Sequence, residues 1–228
     1  MVLFKIYGER NSGTTFLTEL LMKNDFPVYV QGMKKNIVFN WKHGIPHIDV
    51  KNRDDLVIDI IIFRSLDNWL VSMFKNVYHL EEFDDFNKFL LEPQKIGKKV
   101  IFDYKTNKRL NYDDEGKTIF EIRYFKFNKI MEYMNNTNNV VIVSLEYLQN
   151  KNNALFFLKK LNDTFMNRNK EDFISDIKYH TKKKIITKNR NYSDINIEDY
   201  RYIIDEYKNS DIENFINNLE FEIKSFES

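Results

Sequence analysis

Cysteine is absent from the 228 residues, which excludes disulfide staples and thiolate metal sites. No apolar run approaches the ~18 residues that a membrane-spanning helix needs. An excess of charge of one sign is also missing. The 35 Lys and Arg face 34 Asp and Glu for a formal charge of +1, so no global basic field draws the chain to nucleic acid. Any basic site has to be local. The first residues open straight into an apolar run that contains Lys5, with no leader pattern of charged, apolar and small-residue segments, so the expected location is the cytoplasm. Glycine and proline are scarce, at 6 and 3. The Asn-rich clusters 133–139 and 149–153 are short and lie between periodic segments, as the coding bias of an AT-rich genome would leave them.

What is present reads as strands alternating with helices. Residues 2–7 are a buried strand pattern, and a helix continues through 18–22. A short strand is expected at 27–30, and 37–42 lead to a turn at His43-Gly44-Ile45-Pro46. Residues 56–63 form a near-continuous apolar run, the mark of a strand covered on both faces. A helix over 69–78 follows, then a solvated acidic helix face at 81–86 and a hairpin pattern within 100–112. Apolar residues recur at helical spacing over 117–134. Beyond them come a buried strand at 140–143, a helix at 154–161, basic clusters at 182–184 and 188–190, and amphipathic helices over 197–208 and 212–226. The expected fold class is α/β, a three-layer arrangement with a mainly parallel central sheet between helices. At this length one domain, 1–228, is the default.

Chemistry concentrates at the first strand-to-helix junction, Gly8-Glu9-Arg10-Asn11-Ser12-Gly13-Thr14-Thr15-Phe16. Gly8 and Gly13 allow backbone angles that a Cβ penalises, so successive N–H groups can turn onto an anion at the positive end of the following helix. Thr14 and Thr15 add hydroxyl donors. The spacing is that of the nucleotide-triphosphatase loop G-x-x-x-x-G-K-[ST], with Thr14 in place of the lysine that reaches the β- and γ-phosphates. That replacement argues against ATP or GTP chemistry. A second junction follows the apolar strand, where Arg64 and Ser72 stand eight residues apart. The arginine offers a fork of donors to a terminal phosphate, and the serine adds a hydroxyl from the helix.

Together these motifs resemble those of the sulfotransferases that use 3′-phosphoadenosine-5′-phosphosulfate (PAPS). The run Arg10-Asn11-Ser12-Gly13-Thr14-Thr15 is similar to the family's 5′-phosphosulfate loop, [KR]-S-G-T-[TS]. The stretch from Arg64 to Ser72 resembles its 3′-phosphate motif, R-N-P-x-[DE]-x-x-x-S. Lys42-His43-Gly44-Ile45-Pro46 looks like the K-T-H-x-P segment in which lysine and histidine are catalytic, and His43 stands 21 residues before Arg64. Glu146 after the strand at 140–143 is similar to the family's Y-E-D-L. The resemblance implies PAPS as cofactor, 3′,5′-diphosphoadenosine as product, no metal, and a hydroxyl acceptor on a carbohydrate or small molecule. It implies His43 as general base, with Glu9 as the other candidate, and Lys42 and Arg10 as catalytic cations. Gly8, Arg10, Asn11, Ser12, Gly13, Thr14 and Thr15 would hold the phosphosulfate, and Arg64 and Ser72 the 3′-phosphate. Phe16 would stack on adenine, and Lys188 and Arg190 are positional candidates only.

The chain departs from the family pattern at Asn11, where a basic residue is usual, with Arg10 one residue earlier. Two rivals stay open: a nucleotide or nucleoside kinase with a degenerate loop, and a nucleotide-binding module without catalysis. His43 and His47 are four apart but broken by Pro46, which disfavours the helix that such metal ligands need.

Overall fold

The computed structural model describes residues 2–29, 43, 56–76, 80–95, 115–170, 172–175 and 195–224. Strand β1, Val2–Gly8, feeds helix α1, Thr14–Lys23. Strand β2, Leu56–Phe63, feeds α2, Leu66–Lys75, which α3, Phe86–Leu91, and α4, Ile119–Asn135, follow. Strand β3, Val140–Ser144, runs into α5, Leu145–Gln149, and α6, Lys151–Leu161. A 3₁₀ turn, Ile197–Tyr200, leads to α7, Arg201–Tyr207, then α8, Ser210–Asn218, and strand β4, Phe221–Lys224. The four strands form an α/β sheet in the order β1-β2-β3-β4, with β1, β2 and β3 parallel and β4 antiparallel to β3.

Strand periodicity sorts the apolar side chains onto two faces. Phe4, Ile6, Ile58, Ile60, Ile62, Val141 and Val143 pack with Leu17, Leu20 and Leu21 of α1 and with Phe157, Leu158 and Leu161 of α6. The alternate residues Tyr7, Ile61, Phe63, Val140 and Ile142 meet Phe127, Ile130 and Met134 of α4 and Ile212 and Ile216 of α8. Both faces are therefore covered, which is why β2 and β3 are apolar throughout most of their lengths. A further cluster joins α2, α3, the start of α4 and α7 around Trp69, Phe89, Phe120 and Ile204.

Register decides where the junctions lie. Gly8 pairs with Ile62 and Phe63 with Ser144, so the carboxyl ends of the three parallel strands line one edge of the sheet. Each end turns there into a helix, and that edge is where open α/β sheets bind ligands. At its far end α1 is held by the segment after α6: Arg168 Nη1 donates to the Asp25 carbonyl at 2.9 Å and Lys170 Nζ to that of Asn24 at 3.1 Å.

Four local expectations change. The strand expected at 27–30 is a single bridge from Val28 to Phe4, closed by Phe4 N–H to the Pro27 carbonyl and Tyr29 N–H to the Phe4 carbonyl. The acidic segment 81–85 is not helical, and Asp85 instead caps α3 by accepting from Lys88 N–H at 3.0 Å. The helix expected over 69–78 begins three residues earlier, at Leu66. The last helix ends at Asn218, and Phe221–Lys224 pairs with β3 as a strand, because its backbone satisfies the open edge of Val140–Val143. The 37–42 strand and the 100–112 hairpin lie outside the described residues.

Helix α6 gives a direct check of the two-faced packing. Phe157 is fully buried against the sheet while Phe156, one residue earlier, is half exposed. Phe157→Ala should cost about 3–5 kcal/mol in urea unfolding, and Phe156→Ala less than about 1 kcal/mol.

Candidate functional site

The first junction is compact because of its two glycines, both packed too closely for a Cβ, Gly13 against Leu145. A Cβ on Gly8 would lie 2.6 Å from the Ile62 carbonyl and 2.4 Å from Ser12 Oγ, so the close approach of loop and neighbouring strand requires glycine. Gly13 has φ 100, the left-handed region, and forms the N-cap of α1 with no side-chain cap of its own. Between them Asn11 is also left-handed, at φ 60, a conformation that asparagine tolerates better than most residues. Ser12 closes the turn, with its N–H and Oγ–H both donating to the Glu9 carbonyl at 3.2 and 2.7 Å. The Ser12 hydroxyl proton is thereby used inside the loop. Thr14 is buried, Thr15 exposed, and Phe16 half-buried against the α1 face of the core.

The second junction lies along the first. Arg64 Nη1 donates to the Asn11 carbonyl at 2.9 Å, and the Trp69 indole N–H donates to that of Arg10 at 2.8 Å. In return Asn11 Nδ2 reaches the Ser72 and Asn76 carbonyls, each at 3.3 Å, at the C-terminal end of α2. Asn11 is thus built into the loop's attachment to α2. The N-terminal end of α2 is already met by an anion of the protein: the Glu146 carboxylate accepts from Ser65 N–H at 3.2 Å, Ser65 Oγ–H at 2.7 Å and Asn68 Nδ2 at 3.1 Å. The start of α1 has no such side-chain cap, and its first turn carries no acidic residue. The first amides of a helix have no partner within it, and the helix dipole favours an anion beside them.

Beneath both junctions sits Arg123 of α4, fully buried. Its Nη1 donates to Glu9 Oε2 at 2.8 Å, its Nε and Nη2 to the two carboxylate oxygens of Glu213 at 2.8 and 3.0 Å, and Nη2 also to the Arg64 carbonyl at 2.7 Å. The guanidinium lies 4.9 Å from the centre of the Trp69 ring, a cation–π contact. Burial alone would lower its pKa, but the charges of Glu9 and Glu213 outweigh that and raise it. Breaking a buried pair of this kind by removing one partner costs about 3–5 kcal/mol, since the other charge is left uncompensated. The Asn209 N–H at the start of α8 donates to the Tyr124 hydroxyl, whose pKa burial pushes up to about 12.

Of the residues named from the sequence, Gly8 to Phe16, Arg64 and Ser72 share one edge of the sheet. His43 joins them: its Nδ1 stands 3.0 Å from the Gly8 carbonyl. A carbonyl can only accept, so Nδ1 carries a proton there, and in the neutral imidazole Nε2 is the acceptor nitrogen. Lys42, Lys188 and Arg190 lie outside the described residues. Glu9 is buried and ion-paired with Arg123. The sequence reading missed Trp69, Arg123 and Glu213. The signal for the last two was a charge at the apolar phase of a helix, Arg123 between Ile119 and Phe127, and Glu213 beside Ile212 and Ile216.

No family model, no curated protein and no solved structure matches the chain. Among the described residues no helix is long and apolar enough to cross a membrane, and no three His, Cys, Asp or Glu side chains are grouped to hold a metal ion. An open groove of about 570 Å³ lies between α8 and β4 around Phe215, Leu219 and Phe221, and none of its lining residues belongs to either junction.

Gly8→Ala tests the close approach at the first junction. The added methyl must part β1 from β2 or displace Ser12, and the expected loss is about 1–3 kcal/mol by urea unfolding.

Proposed function

We propose that this chain is a sulfotransferase-like protein that transfers a sulfuryl group from PAPS to a hydroxyl of a carbohydrate or small molecule. The observation that carries the reading is the meeting of two motifs about fifty residues apart in sequence, in the Arg64 to Asn11 contact at 2.9 Å. A donor with phosphates at both ends needs such paired junctions. In this reading the α1 amides with Thr14 and Thr15 would hold its 5′ end, and Arg64 and Ser72 its 3′-phosphate. When bound, PAPS supplies an activated sulfuryl group whose bond to the nucleotide phosphate breaks as the bond to the acceptor oxygen forms. The protein orients the two groups and keeps donors on the oxygens where charge develops. His43, with Nδ1–H on the Gly8 carbonyl, takes the acceptor's proton at Nε2.

One observation favours a second reading, binding without transfer. At the position where the family carries a cation, the Asn11 amide is spent on α2, and the compensating charge has to come from Arg10 or Lys42.

Thermal-shift binding separates these readings from the kinase rival. At about a hundred times Kd, 3′,5′-diphosphoadenosine should add about 2.7 kcal/mol, on the order of 5–10 °C, and ATP with Mg²⁺ should add little. A shift with ATP and Mg²⁺ alone would overturn the proposal. In Arg64→Ala, affinity for 3′,5′-diphosphoadenosine should fall by about 10–100-fold, more than affinity for adenosine 5′-phosphosulfate falls, because both lose the tether at Asn11 and only the first loses a 3′-phosphate contact.

His43→Ala should lower kcat by ~10²-fold or more with donor affinity nearly unchanged. Turnover near wild type in His43→Ala, together with collapse of turnover in a Glu9→Gln variant that still folds and binds the donor, would move the proton acceptor to Glu9. The folding and binding control is needed because Glu9 is also the partner of Arg123. Donor binding with no sulfated product from any hydroxyl acceptor would support binding without transfer.

A further inference from the structure

We infer that Arg123 is the positioning residue of the loop between β1 and α1, and that α8, through Glu213, controls the ligand-binding form of that loop without facing the ligand. The inference takes its ligand from the proposed function but its geometry from the buried cluster alone. Arg123 is bonded to both junctions: to Glu9 in the first, and to the Arg64 carbonyl in the second. It also lies against Trp69, whose indole holds the Arg10 carbonyl. Through these contacts the orientation of one guanidinium plane sets where residues 9, 10 and 64 sit relative to one another.

Glu213 sets that plane. Its carboxylate takes Nε and Nη2 together, the bidentate pairing that fixes a guanidinium in rotation as well as position. With that edge engaged, Nη1 is aimed at Glu9 and the remaining Nη2 hydrogen at the Arg64 carbonyl. If Glu213 loses its charge, Glu9 becomes the stronger acceptor, and the fork can rotate toward it. That rotation pulls on the loop at Glu9 and leaves the Arg64 carbonyl. Glu213 lies 90 residues from Arg123 and 204 from Glu9 in sequence, so the coupling exists only through the fold.

The test compares wild type with Glu213→Gln and with Ile216→Val, a buried residue of the same helix that belongs to the apolar cluster against the sheet. Hydrogen exchange is read at the Ser12 and Leu17 amides, which bond to the Glu9 and Gly13 carbonyls, relative to the amides of β2. Binding of 3′,5′-diphosphoadenosine is measured in parallel by calorimetry. Glu213→Gln should raise the relative exchange at Ser12 and Leu17 at least tenfold and weaken binding at least tenfold, while Ile216→Val leaves both at wild-type values. Equal effects of the two variants would reduce Glu213 to a docking residue for α8 and overturn the inference, as would wild-type loop exchange in Glu213→Gln. If loop exchange rises as expected but even the wild type binds no 3′,5′-diphosphoadenosine, the positioning role stands and the nucleotide reading falls. Should Glu213→Gln not fold, Glu213→Asp keeps the charge, shortens the reach by one methylene and is read on the same two measurements.

Discussion

A guanidinium with no access to water has to be paired, and the way Arg123 is paired organises this protein. Taking such a charge out of water costs several kcal/mol, a cost the interior offsets only with near-ideal geometry and few unused donors. Arg123 meets that demand with two carboxylates, a backbone carbonyl and an aromatic face. Each partner belongs to a different part of the chain: Glu9 follows β1, Arg64 follows β2, Trp69 is on α2 and Glu213 on α8. The requirement to satisfy one buried cation therefore brings four segments to a common geometry at the edge where the parallel strands end.

The helix N-termini of this protein are treated unequally. Helices α3, α4, α5, α6 and α8 each begin with a side chain that accepts from their own first amides. At α2 the anion comes from Glu146, far away in sequence. At α1 a left-handed glycine takes the N-cap position, where no side chain can bond back. That glycine is packed on Leu145, where a Cβ would come within 2.7 Å, and the first amides of α1 therefore lack the side-chain oxygen that most of the other helices supply, which is the physical motive for the proposed phosphosulfate site.

Legibility from sequence followed burial and locality. The runs that became β2 and β3 carry their own signal, because a strand covered on both faces has few polar positions. The loop was legible from Gly8 and Gly13, although only Gly13 uses a positive φ and both stand where a Cβ would collide, Gly8 with the Ile62 carbonyl and Gly13 with Leu145. Asn11 read as a missing charge, while the fold gives it a left-handed turn and a tether to α2, neither of which a family pattern encodes. Phe221–Lys224 was misread as helix because Ile212, Ile216, Leu219, Ile223 and Phe226 keep helical spacing while Phe221 and Ile223 also alternate as a strand does. Two periods fit the same residues, and the open edge of β3 chose between them.

By itself the sequence determined the α/β class, the three parallel strands of the sheet and the strand-loop-helix with its glycines, since these rest on periodicity and backbone freedom within a few neighbouring residues. Only the tertiary structure decided that Arg64 and Trp69 attach to the loop, that Glu146 closes α2, and that Arg123 is shared by Glu9 and Glu213. Those pairings join residues between 53 and 114 positions apart in the chain. Buried charges and donors find partners by spatial proximity, and no local pattern records which distant residue the packing of the sheet will bring within 3 Å.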